Sequence, residues 1–385
     1  MKGLLRNPPL SLYVHMPWCV RKCPYCDFNS HTAPDELPAE EYIQALVADL
    51  EQDLPLIWGR PVQSVFFGGG TPSLFSADHI ATFLSSVRAL LDLRPDVEIT
   101  LEANPGTVER DSFTAYAQAG VNRVSLGVQS FDDVLLKRIG RIHGRQEIER
   151  SLQSLHSAGM SNFNIDLMFA LPGQSLAQSG RDIELAIKAG PAHVSFYQLT
   201  IEPNTAFAAQ PPGLPADDLA WDMQQAGLDT LQSNAYRQYE ISAFALADKQ
   251  SRHNMNYWRY GDFLAVGAGA HGKITMAAEG RVQRFAKHRH PKRYLQGLKT
   301  GDWRAETRYL NEEELVFEFF LNQLRLKQGV RIEDFEARTG LAWTIVESRV
   351  QKAVEKGLLV TQHGYVSPTL LGWRFVNDIQ QMFLP

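Results

Sequence analysis

Cys19, Cys23 and Cys26 are the only cysteines in 385 residues, and all three fall in one stretch, YVHMPWCVRKCPYCDF, Tyr13 to Phe28. A thiolate is a soft ligand that selects iron–sulfur clusters, zinc or copper(I). The three sulfurs can meet at one centre only if the backbone loops around it. The flanking Pro17 and Pro24 suit such a loop, since each fixes φ and removes a donor. Three protein ligands leave a coordination position open, as a ligand-binding centre requires and a closed structural site does not. Zinc completed by His15 or His31 is the competing reading of this spacing. Further groups with chemical potential are scattered along the chain: the run GGGTP (Gly68 to Pro72), Glu102, Gln129, Asp166, Arg141 and His143 in GRIHGR, and HNMNYW (His253 to Trp258). Each has an ordinary alternative. Glycines serve tight turns, carboxylates and amides are often satisfied core polars, and a basic loop is often just solvated.

The elements that must position these groups follow a repeating pattern. Short β-rich runs at 11–16, 64–69, 98–104, 123–130, 162–171 and 193–200 alternate with helix-period segments. Three of those segments end at Gly120, Gly159 and Gly190, the favoured residue after a helix. Strands alternating with helices predict a parallel sheet with right-handed crossovers. Periodicity alone leaves a doubly wound sheet and a barrel equally open. In a barrel the reactive groups collect at the C-terminal strand ends. Gly68 to Pro72, Glu102, Asn104, Gln129, Ser130, Tyr197 and Gln198 all stand there, with Asp166 inside the fifth run.

CxxxCxxC with an aromatic before the last cysteine (Tyr25) resembles the cluster motif of the radical SAM (S-adenosylmethionine) superfamily. That resemblance implies a four-iron, four-sulfur (4Fe-4S) cluster held by Cys19, Cys23 and Cys26, with SAM on its fourth iron. Residues 10–245, including IEPNTAF, resemble the branch that contains oxygen-independent coproporphyrinogen dehydrogenase. In that branch Tyr13, Tyr25, Gly69, Gly70, Thr71, Glu102, Gln129, Arg141 and Asp166 would surround SAM, on a partial, open (β/α)6 TIM-type barrel. The dehydrogenase has a fourth cysteine two residues after the third, where this chain has Phe28. CxxxCxxCxF, together with HNxxYW at His253, Asn254, Tyr257 and Trp258, resembles the HemW family of haem chaperones. The resemblance implies haem binding through those four residues, with His253 as iron ligand, and transfer of haem to acceptor haem proteins such as respiratory enzymes.

The remaining readings concern organisation. Three domains are expected: a radical SAM core over 1–245, a haem-binding segment and connector over 246–300, and a C-terminal α+β domain over 301–385. Within the last, three helices and a hairpin turning at His363–Gly364 resemble a winged helix. Its VESRVQKAVEKG helix is charge-balanced, so docking is expected there and not DNA binding. Residues 208–220, rich in Ala and Pro, read as a linker or lid. The basic run RVQRFAKHRHPKR (281–293) reads as solvated surface, or as a contact for haem propionates, an acidic partner or lipid. A net charge of −5 gives no electrostatic case for nucleic acid. Clustered thiols in an otherwise cysteine-free chain predict a reducing, cytoplasmic setting. The opening residues are too short and proline-broken for a signal peptide, and no run approaches the about 20 apolar residues of a spanning helix. Peripheral membrane contact and a homodimer stay compatible with the sequence.

Overall fold

The computed structural model describes residues 5–107 and 112–384. The first four residues, and Arg110 and Asp111 of the segment expected to be helical, lie outside the described residues. All six β-rich runs form strands: β1 (Leu10–Met16), β2 (Val62–Gly69), β3 (Leu93–Ala103), β4 (Arg123–Gln129), β5 (Phe163–Phe169) and β6 (His193–Gln198). They pair in parallel in chain order, each with the next. No reversal of strand order occurs, so there is no switch-point crevice of the doubly wound kind. Helices α1 (Ala39–Asp53), α2 (Ala77–Leu90), α3 (Phe113–Ala119), α4 (Arg145–Ser157) and α5 (Leu176–Lys188) fill the crossovers. β1 and β5 are buried at six of seven positions, as strands covered on both faces must be. The arrangement is a partial barrel, and its sheet continues outward on both sides.

The extensions come from the end of the expected core, from the expected connector and from the start of the expected C-terminal domain. After α6 (Asp217–Ser233), β7 (Arg237–Glu240) and β8 (Ala243–Ala245) add antiparallel strands beyond β6. Asp217 to Ala220 are the first turn of α6, and Ala208 and Ala209 end a short helix over Ala206–Ala209, so only 210–216 remain a linker. On the other edge, β9 (Asp262–Val266) lies parallel to β1. β10 (His271–Met276), β11 (Arg281–Lys287) and β12 (Arg304–Tyr309) continue from it. The result is one sheet of twelve strands, and the expected boundary at 245 cuts through it.

Solvated surface proves the wrong reading for part of the basic run. Lys287 is fully buried, with Nζ 2.7 Å from Asp53 Oδ2 and also bonded to Asp49. Tyr294 donates to the same Asp49, and Arg304 pairs with Asp53. β11 is thereby bolted to α1. Arg284 pairs with Glu318 of the C-terminal domain, and its guanidinium is therefore spoken for. A second buried knot surrounds Asp262, which accepts from Lys273 Nζ at 2.9 Å, Arg60 at 2.8 Å and Thr275 N at 2.8 Å.

The C-terminal domain has its own apolar core, built on Phe319, Phe320, Phe335, Val346 and Phe383. Helix α8 (Glu312–Gln323) opens with a capping box: Asn311 accepts from Glu314 N and Glu314 from Asn311 N, at 2.9 Å each. Helices α9 (Ile332–Thr339) and α10 (Thr344–Glu355) follow, then a hairpin of Leu359–Gln362 and Tyr365–Pro368. His363 and Gly364 at its tip both have positive φ, 50° and 79°, which a two-residue turn of the I′ type needs. Among the described residues no helix is long and apolar enough to cross a membrane.

Candidate cluster and cofactor cavity

The cysteine loop starts where β1 ends. Trp18 and Cys19 pair in parallel with His31 and Thr32, so residues 20–30 hang from a short two-stranded neck. His31 N donates to Pro17 O and Ala33 N to Cys19 O, which closes that neck. The glycine run beside it is required by the protein itself. Gly70 N donates to Met16 O and Thr71 N to Trp18 O, both at 2.7 Å. A Cβ on Gly70 would stand 2.5 Å from Trp18 O, and one on Gly69, whose φ is 107°, would enter the His15 ring. These glycines let the β2 end press against the cysteine loop. Pro24 abuts Gly140, whose missing side chain leaves room for its ring.

All three cysteines line one cavity at the C-terminal rim of the sheet. The same walls hold Tyr25, Gly69, Gly70, Thr71, Glu102, Gln129, Arg141 and Asp166, eight of the nine residues expected around SAM. Tyr13 is the exception. It faces an adjoining cleft, and its hydroxyl meets His15 Nδ1 at 2.9 Å. Arg141 and His143 are not a solvated loop: Arg141 donates to Asn104 Oδ1, to Gly127 O at 2.6 Å and to Cys23 Sγ at 3.6 Å. Its Nε, buried and without a hydrogen-bond partner, is left for a ligand. Gln129 has a positive φ of 70°, uncommon for this residue type, and accepts from Tyr197 at 2.8 Å. Ser125 and Gly127 also line the cavity. Sequence reading named neither, although both lie on the Gln129 face of β4 by its two-residue period.

Electrostatics in the cavity are governed by burial. Burial first, then the Asp166 charge, raises Glu102 to a pKa of about 8, against the pull of a hydrogen bond from Gly69 N. Glu102 therefore holds its proton at neutral pH. An acid with a raised folded pKa contributes stability below its ordinary value of about 4.5, and that contribution is lost as pH rises through about 8. Glu102→Gln should accordingly gain on the parent protein in thermal unfolding as pH goes from about 5 to about 8.5. A gap independent of pH would show that Glu102 is not the titrating group. Cys19 and Cys26 are likewise pushed upward, first by burial. Iron binding must therefore expel their protons.

The donor chemistry fits an iron–sulfur cluster. Three thiols face one cavity, and among the described residues no three His, Cys, Asp or Glu side chains converge as single-ion ligands would. His15, one proposed fourth zinc ligand, has both ring nitrogens engaged, by Tyr13 and by Asn29 O at 2.9 Å. The walls fit SAM also, with carboxyls for hydroxyl groups and an orphaned guanidinium nitrogen for a carboxylate.

The description "Radical SAM superfamily" matches residues 13–186 and "HemN C-terminal domain" residues 310–375. The chain is similar along its whole length to "Heme chaperone HemW" of Escherichia coli (strain K12), with 46% identity over 99% of this chain and 100% of that one. The Haemophilus influenzae protein of the same name is 45% identical over 98% of each. The chain belongs to the HemW family. Its fold matches the solved coproporphyrinogen III oxidase (HemN) from Escherichia coli at a TM-score of 0.82, over 98% of this chain and 90% of that one. At 22% identity that likeness speaks for the fold alone. Membership in the radical SAM superfamily implies a 4Fe-4S cluster and SAM.

The HemW-type HNxxYW residues sit on helix α7 (Arg252–Trp258), capped by Ser251. They do not form one open surface. His253 is 3% exposed, with Nδ1 3.1 Å from Ser64 Oγ and its ring stacked on Phe66 at 4.8 Å. Its Nε2 is buried without a partner, and it lines neither cavity. Asn254 is half-buried, and Trp258 lies under the Arg325 guanidinium at 4.4 Å. Tyr257 alone reaches a cleft wall, stacked on Phe263 at 4.1 Å. The expectation of an iron-ligating His253 is therefore not met in this conformation, because packing on Phe66 and β2 encloses the ring.

Proposed function

We propose that this protein is a haem chaperone: it binds haem and passes it to apoproteins, with respiratory-chain enzymes as acceptors. In this reading Cys19, Cys23 and Cys26 hold the cluster. Tyr25, Gly69, Gly70, Thr71, Glu102, Gln129, Arg141 and Asp166 surround SAM, whose methionine end lies towards the GGGTP turn. The observation that carries the reading is the end-to-end similarity to curated heme chaperones at 46% identity. Phe28 supports it. This ring stands two residues after the last cysteine, is 59% exposed and lines both cavities, at a place where the dehydrogenase pattern requires a thiol. A phenyl ring neither binds metal nor takes part in sulfur redox chemistry.

Two assays on the anaerobically reconstituted full chain test the reading. Haem titration should develop a saturable Soret band with cluster absorbance retained. Incubation with coproporphyrinogen III, SAM and a strong reductant should leave the porphyrinogen unchanged. Turnover of the porphyrinogen would establish the oxidase activity instead.

A further inference from the structure

A row of polar side chains crosses β4, β5 and β6 next to the cysteine cavity. Strand pairing sets Ser125 beside Asn164, and Asn164 beside His193. Asp166, two residues after Asn164, stands on the same face of β5 and nearer its C-terminal end. Asn164 Nδ2 donates to Ser125 Oγ and to Asp166 Oδ1, at 2.8 Å each. Ser125 Oγ donates in turn to Asp166 Oδ2 at 3.2 Å. On the far side His193 Nδ1 lies 2.6 Å from Asn164 Oδ1, and His193 Nε2 lies 2.8 Å from the Tyr239 hydroxyl of β7. Asp166 and Ser125 line the cavity, whereas Asn164, His193 and Tyr239 are buried and line neither it nor the adjoining cleft.

The two ends of the row fix the direction of every bond in it. An ionised carboxylate can only accept, and a backbone N–H can only donate. At one end Asp166 takes an N–H of Asn164, so the amide oxygen must face His193. At the other end Ser251 N, at the cap of α7, donates to the Tyr239 oxygen at 3.3 Å, and the Tyr239 O–H is free to donate to His193 Nε2. Burial, then the Arg123 charge, holds the His193 pKa well below its usual value, so the ring is neutral and carries one proton. Both ends put that proton on Nδ1, pointing at Asn164 Oδ1. Ser195 Oγ donates to the same oxygen at 3.2 Å. A reversed amide would set its oxygen against the Asp166 carboxylate and its NH2 against the His193 N–H. Burial pushes the Asp166 carboxyl up, and the Asn164 bond leads the contacts that pull it back down. Two of the roughly four acceptor directions of a carboxylate are thus filled from within the protein, and the others are left for hydroxyl groups in the cavity.

We infer that His193 is a positioning residue for the SAM site: by donating from Nδ1 to Asn164 Oδ1 it keeps the amide turned towards Asp166, and so keeps that carboxylate as an acceptor at the cavity wall. This rests on the reading that Asp166 borders SAM, and adds to it a residue that lies outside the cavity. Such supporting hydrogen bonds orient the groups that touch a ligand.

The test is SAM affinity of the anaerobically reconstituted full chain, read by equilibrium dialysis at matched cluster content, with thermal unfolding of each variant alongside. His193→Asn puts an amide NH2 where Nδ1 stood. His193→Gln reaches the place of Nε2 and leaves that of Nδ1 without a donor. If His193 only filled space, the smaller Asn would be the worse replacement. Positioning demands the reverse order. His193→Gln should weaken SAM binding by about tenfold, as loss of a hydrogen bond acting on a charged group does, and His193→Asn should stay within about threefold of the parent. Asn164→Leu, which keeps the volume and removes the amide, should match His193→Gln. Parental affinity in His193→Gln or in Asn164→Leu would overturn the assignment, as would an equal loss in the two His193 variants. Parental affinity in Asp166→Ala would overturn the reading that Asp166 borders SAM, and the role of His193 with it.

Discussion

Replacing any one of Cys19, Cys23 or Cys26 by Ala should abolish the iron–sulfur chromophore in anaerobically reconstituted protein. The three thiols face one cavity, and among the described residues the chain has no other cysteine to substitute for a missing one. Burial holds the Cys19 and Cys26 thiols up, so neither stays ionised without bound iron to compensate. Two remaining thiolates then cannot retain a cube that three were needed to anchor. SAM binding should fall in parallel, by about tenfold or more by equilibrium dialysis, because its chelated iron is gone. The fold should survive, since the neck of the loop is closed by backbone hydrogen bonds and not by the sulfurs. A variant that kept full iron and sulfide content would show that the cluster is held elsewhere.

Lys287→Met should be the most damaging substitution outside the cavity, destabilising the protein by about 3–5 kcal/mol in denaturant titration. Lys287 is fully buried between Asp49 and Asp53, themselves fully buried. Removing the ammonium leaves two carboxylates facing each other in the interior, with Arg304 on Asp53 alone. Asp49 already has a pKa raised to about 6 by burial, which Lys287 opposes and Asp53 reinforces. Its contribution to stability is present below its ordinary value of about 3.8 and is lost as pH rises through about 6. Without Lys287 that loss deepens, so the variant should suffer more at about pH 8 than at about pH 5. Adding Asp49→Asn should recover part of the deficit by removing the unpaired charge. Equal stability of parent and Lys287→Met at about pH 8 would mean that the interior tolerates the unpaired carboxylates, contrary to the cost of burying charge.

The chemistry-bearing residues were legible because each announces itself locally. Cysteine spacing, an aromatic before the last thiol, and polar residues at the ends of β-rich runs are properties of a few neighbours in the chain. The same holds for the helix-stopping Gly120, Gly159 and Gly190, all at positive φ of 112°, 66° and 69°. Helix caps such as Asn311 and the turn at His363–Gly364 are equally local. Roles that depend on distant partners were misread. The close approach that Gly69 and Gly70 permit was not legible either, since it is the His15 ring and Trp18 O that side chains there would meet. Lys287 looked like surface because nothing near it in sequence reveals Asp49, more than two hundred residues earlier.

By itself, then, the sequence determined the parallel strand–helix alternation, the cysteine loop and the set of polar groups at the strand ends, since periodicity, turn chemistry and ligand type are written over short spans. Only the tertiary structure decided between barrel and doubly wound sheet, because strand order is a matter of pairing across the chain. It also decided that His253 is packed inside, because burial depends on which distant element lies over a side chain and no local pattern encodes that.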